Sequence, residues 1–408
     1  VVRRVFEHGA YADRALHSEA AVLDARDRRL ATAISYGTIQ RRATLDHVAG
    51  RLASRPLDRL DPPVLAALRL GLFQLLFLDG VADHAAVNES VELAKPSGAS
   101  LVNAILRRAA REGRAIVEDL DDSSPERAAI LHSVPQWLAE QWWAELGADE
   151  ARSLLAHLNA PAESVVRVNT LRADPAEVLG ELGVPAHPAP DLPEGIVIDA
   201  PFDAHGSQLF ADGAIMPQSR GSMRVAHVVA PVPGERILDL CAAPGGKTTH
   251  LGALISNRGE VVAVERHHGR AAALRETCQR MGTTCVRVEI GDAAGSRNGL
   301  VFDRVLVDPP CSGLGTLQSR PDLRWRMTPA DIDALAAIQR RILDAAATAT
   351  APGGRLVYSV CTISSRETGE VITDFLGAHP QFSAERQLQL LPDRDRTDGF
   401  FIAELRRS

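Results

Sequence analysis

The sequence is short of everything that would mark it for a membrane, for secretion or for a zinc framework. Aromatic residues make up 4% of its 408 positions. No apolar run approaches the ~18 residues of a membrane span. The opening stretch, VVRRVFEHGAYADRAL, is too polar for a secretory signal, and Val1 stands where an initiator Met is expected, so the N-terminus reads as trimmed. The five cysteines, Cys241, Cys278, Cys285, Cys311 and Cys361, all lie in the second half. An odd number without CxxC pairs argues against a disulfide framework and a zinc site; free thiols and a reducing cytoplasm are expected. A net charge of −7 is not a nucleic-acid signature. No internal repeat or low-complexity tract is present, which excludes a solenoid.

What is present is an ordinary globular composition, 45% hydrophobic and 24% charged, in a chain long enough for two or three cores. The charge is uneven: residues 1–115 hold 17 Lys/Arg against 13 Asp/Glu, a balance of +4, and the remainder stands at −11. A mildly basic front half suits RNA, and equally a solvated helical face. This front half has helical spacing throughout, in about six or seven helices. Among them Asp61-Pro62-Pro63 starts a segment apolar nearly all round and therefore central. Asp119 to Pro125 reads as a linker, followed by an amphipathic PQWLAEQWWAELG whose three Trp read as packing. From Val165 short strands and a helix make a small α/β lead-in. Beyond Glu235 strands at 236–240, 261–265, 285–289, 303–308 and 355–360 alternate with helices around 247–255, 268–281 and 330–350. This is the pattern of a doubly wound parallel sheet. The ending Gly399 to Leu405 reads as a last, antiparallel strand closing it.

The central stretch is ERILDLCAAPGGKTTHL, Glu235 to Leu251. A strand, a loop of small residues and a helix in that order place backbone N–H groups at the strand's carboxyl end, suiting a nucleotide-like ligand. A tight turn without ligand is the bland alternative. A phosphate-cradling GxxxxGK[ST] loop fails because Cys241 stands at its first glycine. The next strand ends on Glu265, a carboxylate able to accept both hydroxyls of a ribose. Asp239, Asp292, Asp308 and Cys361 end the other strands.

Two of these ends carry thiols: Asp308-Pro309-Pro310-Cys311-Ser312-Gly313, and Tyr358-Ser359-Val360-Cys361-Thr362. Cys278 and Cys285 have ordinary helix and strand contexts and read as structural; Cys241 reads as a tight-packing loop residue. Strand-end thiols suit a pyrimidine target. Carbon 5 of cytosine is a weak nucleophile until a thiolate adds at carbon 6. A free thiol's pKa of about 8.5 calls for a nearby positive charge, for which Lys247 is a candidate. Asp308 could hold the exocyclic amine and ring nitrogen. On composition alone either cysteine could be the nucleophile. The base must be unpaired or flipped.

The phrases AVNESVELAK and LVNAILRR resemble the NusB family of helical RNA-binding proteins. DLCAAPGGKTTHL, DPPCSG, RPDLRW, YSVCT and DGFFIAEL together resemble the RNA 5-methylcytosine methyltransferases. With the NusB-like front, nearly the whole chain is similar to the RsmB (Sun/Fmu) 16S ribosomal RNA methyltransferases. The resemblance implies a NusB-like bundle (1–118), a linker with helices (119–160), a small α/β lead-in (161–205) and a Rossmann-like catalytic domain (206–408). It implies Cys361 as nucleophile, Cys311 in product release, and Asp308 and Lys247 beside them. S-adenosylmethionine contacts fall on Cys241, Ala242, Ala243, Pro244, Gly245, Gly246, Lys247, Glu265, Arg270, Asp292 and Asp308. Glu265 stands where relatives often have Asp, and the short polar segment Gly295 to Gly299 implies a different rim near the adenine. Asn169 and Arg172 in RVNTLR also match a family motif, structural or RNA-facing. Arg320, Arg324, Trp325 and Arg326 read as an RNA-contacting loop, with a salt-bridged turn as the alternative. The expected partner is RNA, 16S rRNA first and tRNA as alternative, for a monomer using neither DNA, membrane nor metal. Rival readings are a non-catalytic RNA-binding factor and a methyltransferase for small molecules or proteins.

Overall fold

The computed structural model describes residues 1–296 and 299–408; part of the Gly295 to Gly299 rim, residues 297 and 298, therefore lies outside the described residues. The chain divides into two compact units, residues 1–161 with 317–327, and residues 162–316 with 328–408. No described helix is long and apolar enough to cross a membrane.

The first unit is all helical. Pro62–Phe77 is its central helix, with Pro at the first turn and buried residues on every side, among them Val64, Ala67, Leu68, Leu72 and Leu75. Arg69 is buried there because Asp46 takes it bidentately, at 2.7 Å to each carboxylate oxygen. The break at 119–124 carries no helix, and the helices that follow, Pro125–His132, Gln136–Leu146 and Ala148–His157, belong to this unit. Trp142 is fully buried, as a packing residue would be.

The second unit begins with strands β1 (Ser164–Val168), β2 (Ala186–Pro188), β3 (Gly195–Ile198) and β4 (Ile215–Pro217), paired antiparallel in the order β2-β3-β1-β4. The main sheet holds β5 (Arg236–Leu240), β6 (Glu260–Glu265), β7 (Val286–Ile290), β8 (Phe302–Val307), β9 (Thr350–Val360), β10 (Phe382–Leu390) and β11 (Phe400–Arg407). Its order is β10-β11-β9-β8-β5-β6-β7, parallel from β9 through β7. The last strand is antiparallel, but it lies inside the sheet between β9 and β10 rather than closing it. The edge belongs to β10, whose FSAERQLQL is mostly exposed and lacks the apolar alternation that betrays a strand. The apolar side chains of β5, β6, β8 and β9 supply cores on both faces, with Leu238, Val305 and Leu356 on one and Ile237, Leu306 and Val357 on the other.

This order puts the topological switch between β5 and β8, where chain connections leave in opposite directions. The amide of Asp308 donates to Leu240 O at 3.3 Å, so the loops after β5 and β8 start side by side.

Candidate active site

The loop after β5 is shaped by backbone. Cys241 adopts φ 67° and Gly245 φ 108°, and a Cβ on Gly245 would come within 2.8 Å of Leu274 on the helix His268–Met281. The loop is pinned by Arg270, which donates to Ala243 O at 2.7 Å, and by the Ala242 amide donating to Val264 O. Helix Gly246–Leu254 begins directly behind it. Burial pushes the Cys241 thiol up to about 12, as befits a packing residue.

Asp239 is buried at the end of β5. The Thr248 hydroxyl donates to its Oδ2 at 2.6 Å, whereas Oδ1 is buried without a partner. Burial raises this carboxyl to about 7. Glu265, 3% exposed, accepts the His267 amide on Oε1 at 2.8 Å, and its Oε2 lies 3.4 Å from Arg270 Nε. Asp292, just past β7, is exposed and accepts the Ala294 amide. An orphaned acceptor, a second acceptor at the next strand end and a helix N-terminus share one crevice. That donor set fits a nucleoside with a charged tail.

The other end of the rim holds the thiols. Cys311 Sγ and Cys361 Sγ are 3.4 Å apart. Lys247 donates to Asp308 Oδ2 at 2.8 Å, and Ser359 donates to Asp308 Oδ1 at 3.1 Å. Lys247 Nζ also lies 5.2 Å from the Phe400 ring centre. Burial works against the Lys247 charge, but the Asp308 carboxylate prevails and raises its pKa. The hydrogen bond from Cys311 lowers Cys361, with Lys247 assisting, whereas the same bond and burial raise Cys311 well above an ordinary thiol. The Gly315 amide donates to Cys361 O at 3.0 Å, and the Gly399 amide donates to Gly315 O at 2.7 Å. A Cβ on Gly315 would stand 2.0 Å from Gly399 O, so both loops and the entry to β11 meet backbone to backbone.

Four buried polar residues near the thiols escaped the sequence reading. Ser312 N donates to Glu367 Oε1 at 2.9 Å, Thr362 Oγ1 donates to Oε2 at 3.1 Å, and Gln339 Nε2 donates to Oε1 at 2.9 Å. Ser312 Oγ also donates to Oε2. Ser312 and Thr362 adjoin the cysteines and could have been suspected. Glu367, in the polar run SSRETGE, carries no such signal.

The structure corrects the reading of the RPDLRW segment, which belongs to the helical unit. Arg324 is fully buried, donating to Ser133 O, Asn159 Oδ1, Leu317 O and the Gln40 and Leu158 carbonyls, so it has no surface to offer RNA. Trp325 donates to Ile39 O at 2.7 Å and packs with Val2, Val5 and Ala66. Arg326 donates to Gly9 O and lies over the Tyr11 ring; Arg320 alone of the four is exposed. Asn169 is structural, fully buried and donating to Gly213 O and Met281 O.

Elsewhere in the second unit, Glu194, His227 and His250 gather ligand-type atoms within 4.8 Å of one another. Glu194 Oε1 lies 2.7 Å from His227 Nε2 and 2.9 Å from His250 Nε2. Burial lowers His250 to about 4, leaving it neutral, and the buried Arg167 donates to Thr249 Oγ1 at 2.8 Å.

Comparison with known proteins identifies the family. Residues 226–406 match the 16S rRNA methyltransferase RsmB/F family, residues 134–205 the RsmF/B-like ferredoxin-like domain, and residues 1–111 the NusB family. The chain is 37% identical to the probable ribosomal RNA small subunit methyltransferase B of Synechocystis, over 97% of this chain and 94% of that protein. The crystal structure of PH0851 superposes with a TM-score of 0.81 at 30% identity, covering 96% of this chain and 93% of that one. That of NSun6 from Pyrococcus horikoshii with SFG gives 0.63 at 25%, covering 68% and 99%. The chain belongs to the RsmB/F family of rRNA methyltransferases. It uses S-adenosylmethionine, and the crevice between β5 and β6 has the acceptors to hold it.

Proposed function

We propose that the protein methylates carbon 5 of a cytosine in 16S rRNA, with Cys361 as the covalent nucleophile. The observation that carries this reading is the pair of strand-end sulfurs 3.4 Å apart, flanked by Lys247 and Asp308 on the same rim. A methyl transfer to an amine, a hydroxyl or a protein side chain has no use for two thiols there.

When bound, S-adenosylmethionine supplies an electrophilic methyl group. Glu265 would accept the ribose hydroxyls, Asp239 and the loop Cys241–Lys247 would hold the charged tail, Arg270 pins that loop, and Asp292 would serve the adenine end. The Cys361 thiolate adds to carbon 6 of the flipped base, moving an electron pair to carbon 5. Asp308 holds the exocyclic amine and N3 and favours the protonation that makes carbon 6 electrophilic. Carbon 5 would take the methyl with S-adenosylhomocysteine as the leaving group, the carbon-5 proton would pass to solvent water, and the electron pair it leaves would break the carbon 6–sulfur bond and return the Cys361 thiolate. Cys311 serves that last stage. The helical unit supplies RNA affinity from its surface cations, Arg320 among them. The reaction belongs in the cytoplasm, where five free thiols persist reduced.

The test is bisulfite mapping of ribosomal and transfer RNA from a deletion strain beside its parent. One cytosine in 16S rRNA should lose protection and regain it with the purified protein. Protection lost only in tRNA would redirect the substrate. A methyl transferred to protein or metabolite extracts but never to RNA would overturn the reading.

A further inference from the structure

Two thiols 3.4 Å apart share one proton between them once either ionises, and nothing intrinsic to cysteine decides which sulfur keeps it. The surroundings are lopsided. On the Cys361 side stands Lys247, 12% exposed, although Asp308 and Asp398 also face that sulfur. On the Cys311 side, across the adjoining Ser312 amide, stands Glu367 at 0% exposure. Tyr358 also lies near Cys311, and its hydroxyl donates within the same network, to Gln339 Oε1 and Glu367 O.

Glu367 is held through both of its carboxyl oxygens. Its Oε1 receives two N–H groups, from Ser312 and Gln339, and its Oε2 receives the hydroxyls of Ser312 and Thr362. Among the described residues no ion pair joins it to a cation, so its charge is uncompensated and acts on whatever lies nearest. Its donors include the residue after each cysteine, Ser312 and Thr362, so one side chain holds both thiol-bearing turns in register. Three of its four donors lie on those two turns, and the fourth, Gln339, reaches it from the helix Pro329–Ala349.

We infer that Glu367 sets the polarity of the thiol pair: held against the Ser312 amide, its carboxylate keeps the proton on Cys311 and leaves Cys361 as the thiolate. Glu367 is a positioning residue, acting on the substrate only through the sulfurs. The directions of the two thiol shifts, Cys311 up with Glu367 among the causes and Cys361 down, agree with this. The inference gives the proposed nucleophile its identity and rests on the covalent reading for its catalytic meaning. Its test needs neither RNA nor methyl transfer.

The full chain, without RNA or cofactor, is pulsed with iodoacetamide across a pH series, and alkylation of each cysteine is read by peptide mass spectrometry. In the native protein Cys361 should react before Cys311. Glu367→Gln keeps the size and an acceptor for the Ser312 amide but removes the charge. It should lower the Cys361-to-Cys311 ratio by about tenfold, the equivalent of one pKa unit, and shift the pH profile of Cys361 upward. Glu367→Asp should restore most of the ratio. A purely structural glutamate would change both rates together and leave the ratio alone, so an unchanged ratio in folded Glu367→Gln overturns the inference. Should that variant fail to fold, the native order decides, and Cys311 reacting first overturns it. A Cys361→Ala protein that still methylates removes the covalent reading and leaves this ratio standing; an unchanged ratio beside an inert Cys361→Ala does the reverse.

Discussion

The two ends of the catalytic rim are made differently. The end between β5 and β6 is a backbone construction: a loop with two residues at positive φ, a helix start and two strand-end carboxylates. The end between β8 and β9 is a side-chain construction, in which two thiols, Lys247, Asp308, Ser312, Thr362, Gln339 and Glu367 interlock. The first kind of site binds and tolerates adjustment, since most of its donors belong to every residue type. The second kind, in the proposed reaction, would do the chemistry, and it depends on particular atoms. Changes at the first should move affinity, and changes at the second should move turnover.

The largest expected effect is that of Cys361→Ala, which should lower methyl transfer by at least ~10⁴-fold, the scale of removing a nucleophile. Cofactor affinity by calorimetry should stay as in the native protein, and no RNA adduct should form. Next comes Cys311→Ala, expected to stop after about one turnover per enzyme. It should leave a slower protein–RNA band on a denaturing gel that requires both S-adenosylmethionine and Cys361. If Cys361→Ala traps RNA and Cys311→Ala is inert, the two roles are reversed. Gly315→Ala should come third: its Cβ meets backbone, which cannot swing aside as a side chain can, and such overpacking costs about 1–3 kcal/mol. The comparison is sharpened if turnover drops in this variant while cofactor affinity holds. Glu265→Ala should cost ~1.5–3 kcal/mol of cofactor binding, roughly ten- to hundredfold in affinity, with the iodoacetamide selectivity of the cysteines untouched. Unchanged affinity would remove Glu265 from the crevice, and altered thiol selectivity would show the two ends to be one.

Their legibility in the sequence follows from the same difference. Backbone sites leave local marks, so DLCAAPGGKTTHL and the strand ending on Glu265 pointed to the crevice. The strand-end cysteines were equally plain, because each closes an apolar run. Glu367 was invisible: a polar residue among Ser364, Ser365, Arg366 and Thr368 looks like surface, and only the fold carries Gln339 and Ser312 to it. The RPDLRW segment failed for a related reason. Three arginines beside a tryptophan look like a basic surface until tertiary packing buries Arg324 among carbonyls that no local pattern announces. The edge strand β10 was missed because exposure on most of its length erases alternation.

That buried arginine has a consequence for how the chain is made. The oxygens it ties together come from Gln40, Ser133, Leu158 and Asn159, all of which leave the ribosome long before Arg324 does. Throughout synthesis of β1 to β8 the helical unit must wait with that slot unfilled, and it is completed only after the Cys311 loop has been translated. Vectorial synthesis therefore finishes the first unit late, and an N-terminal fragment ending at residue 118 or 161 is a helical unit without its keystone.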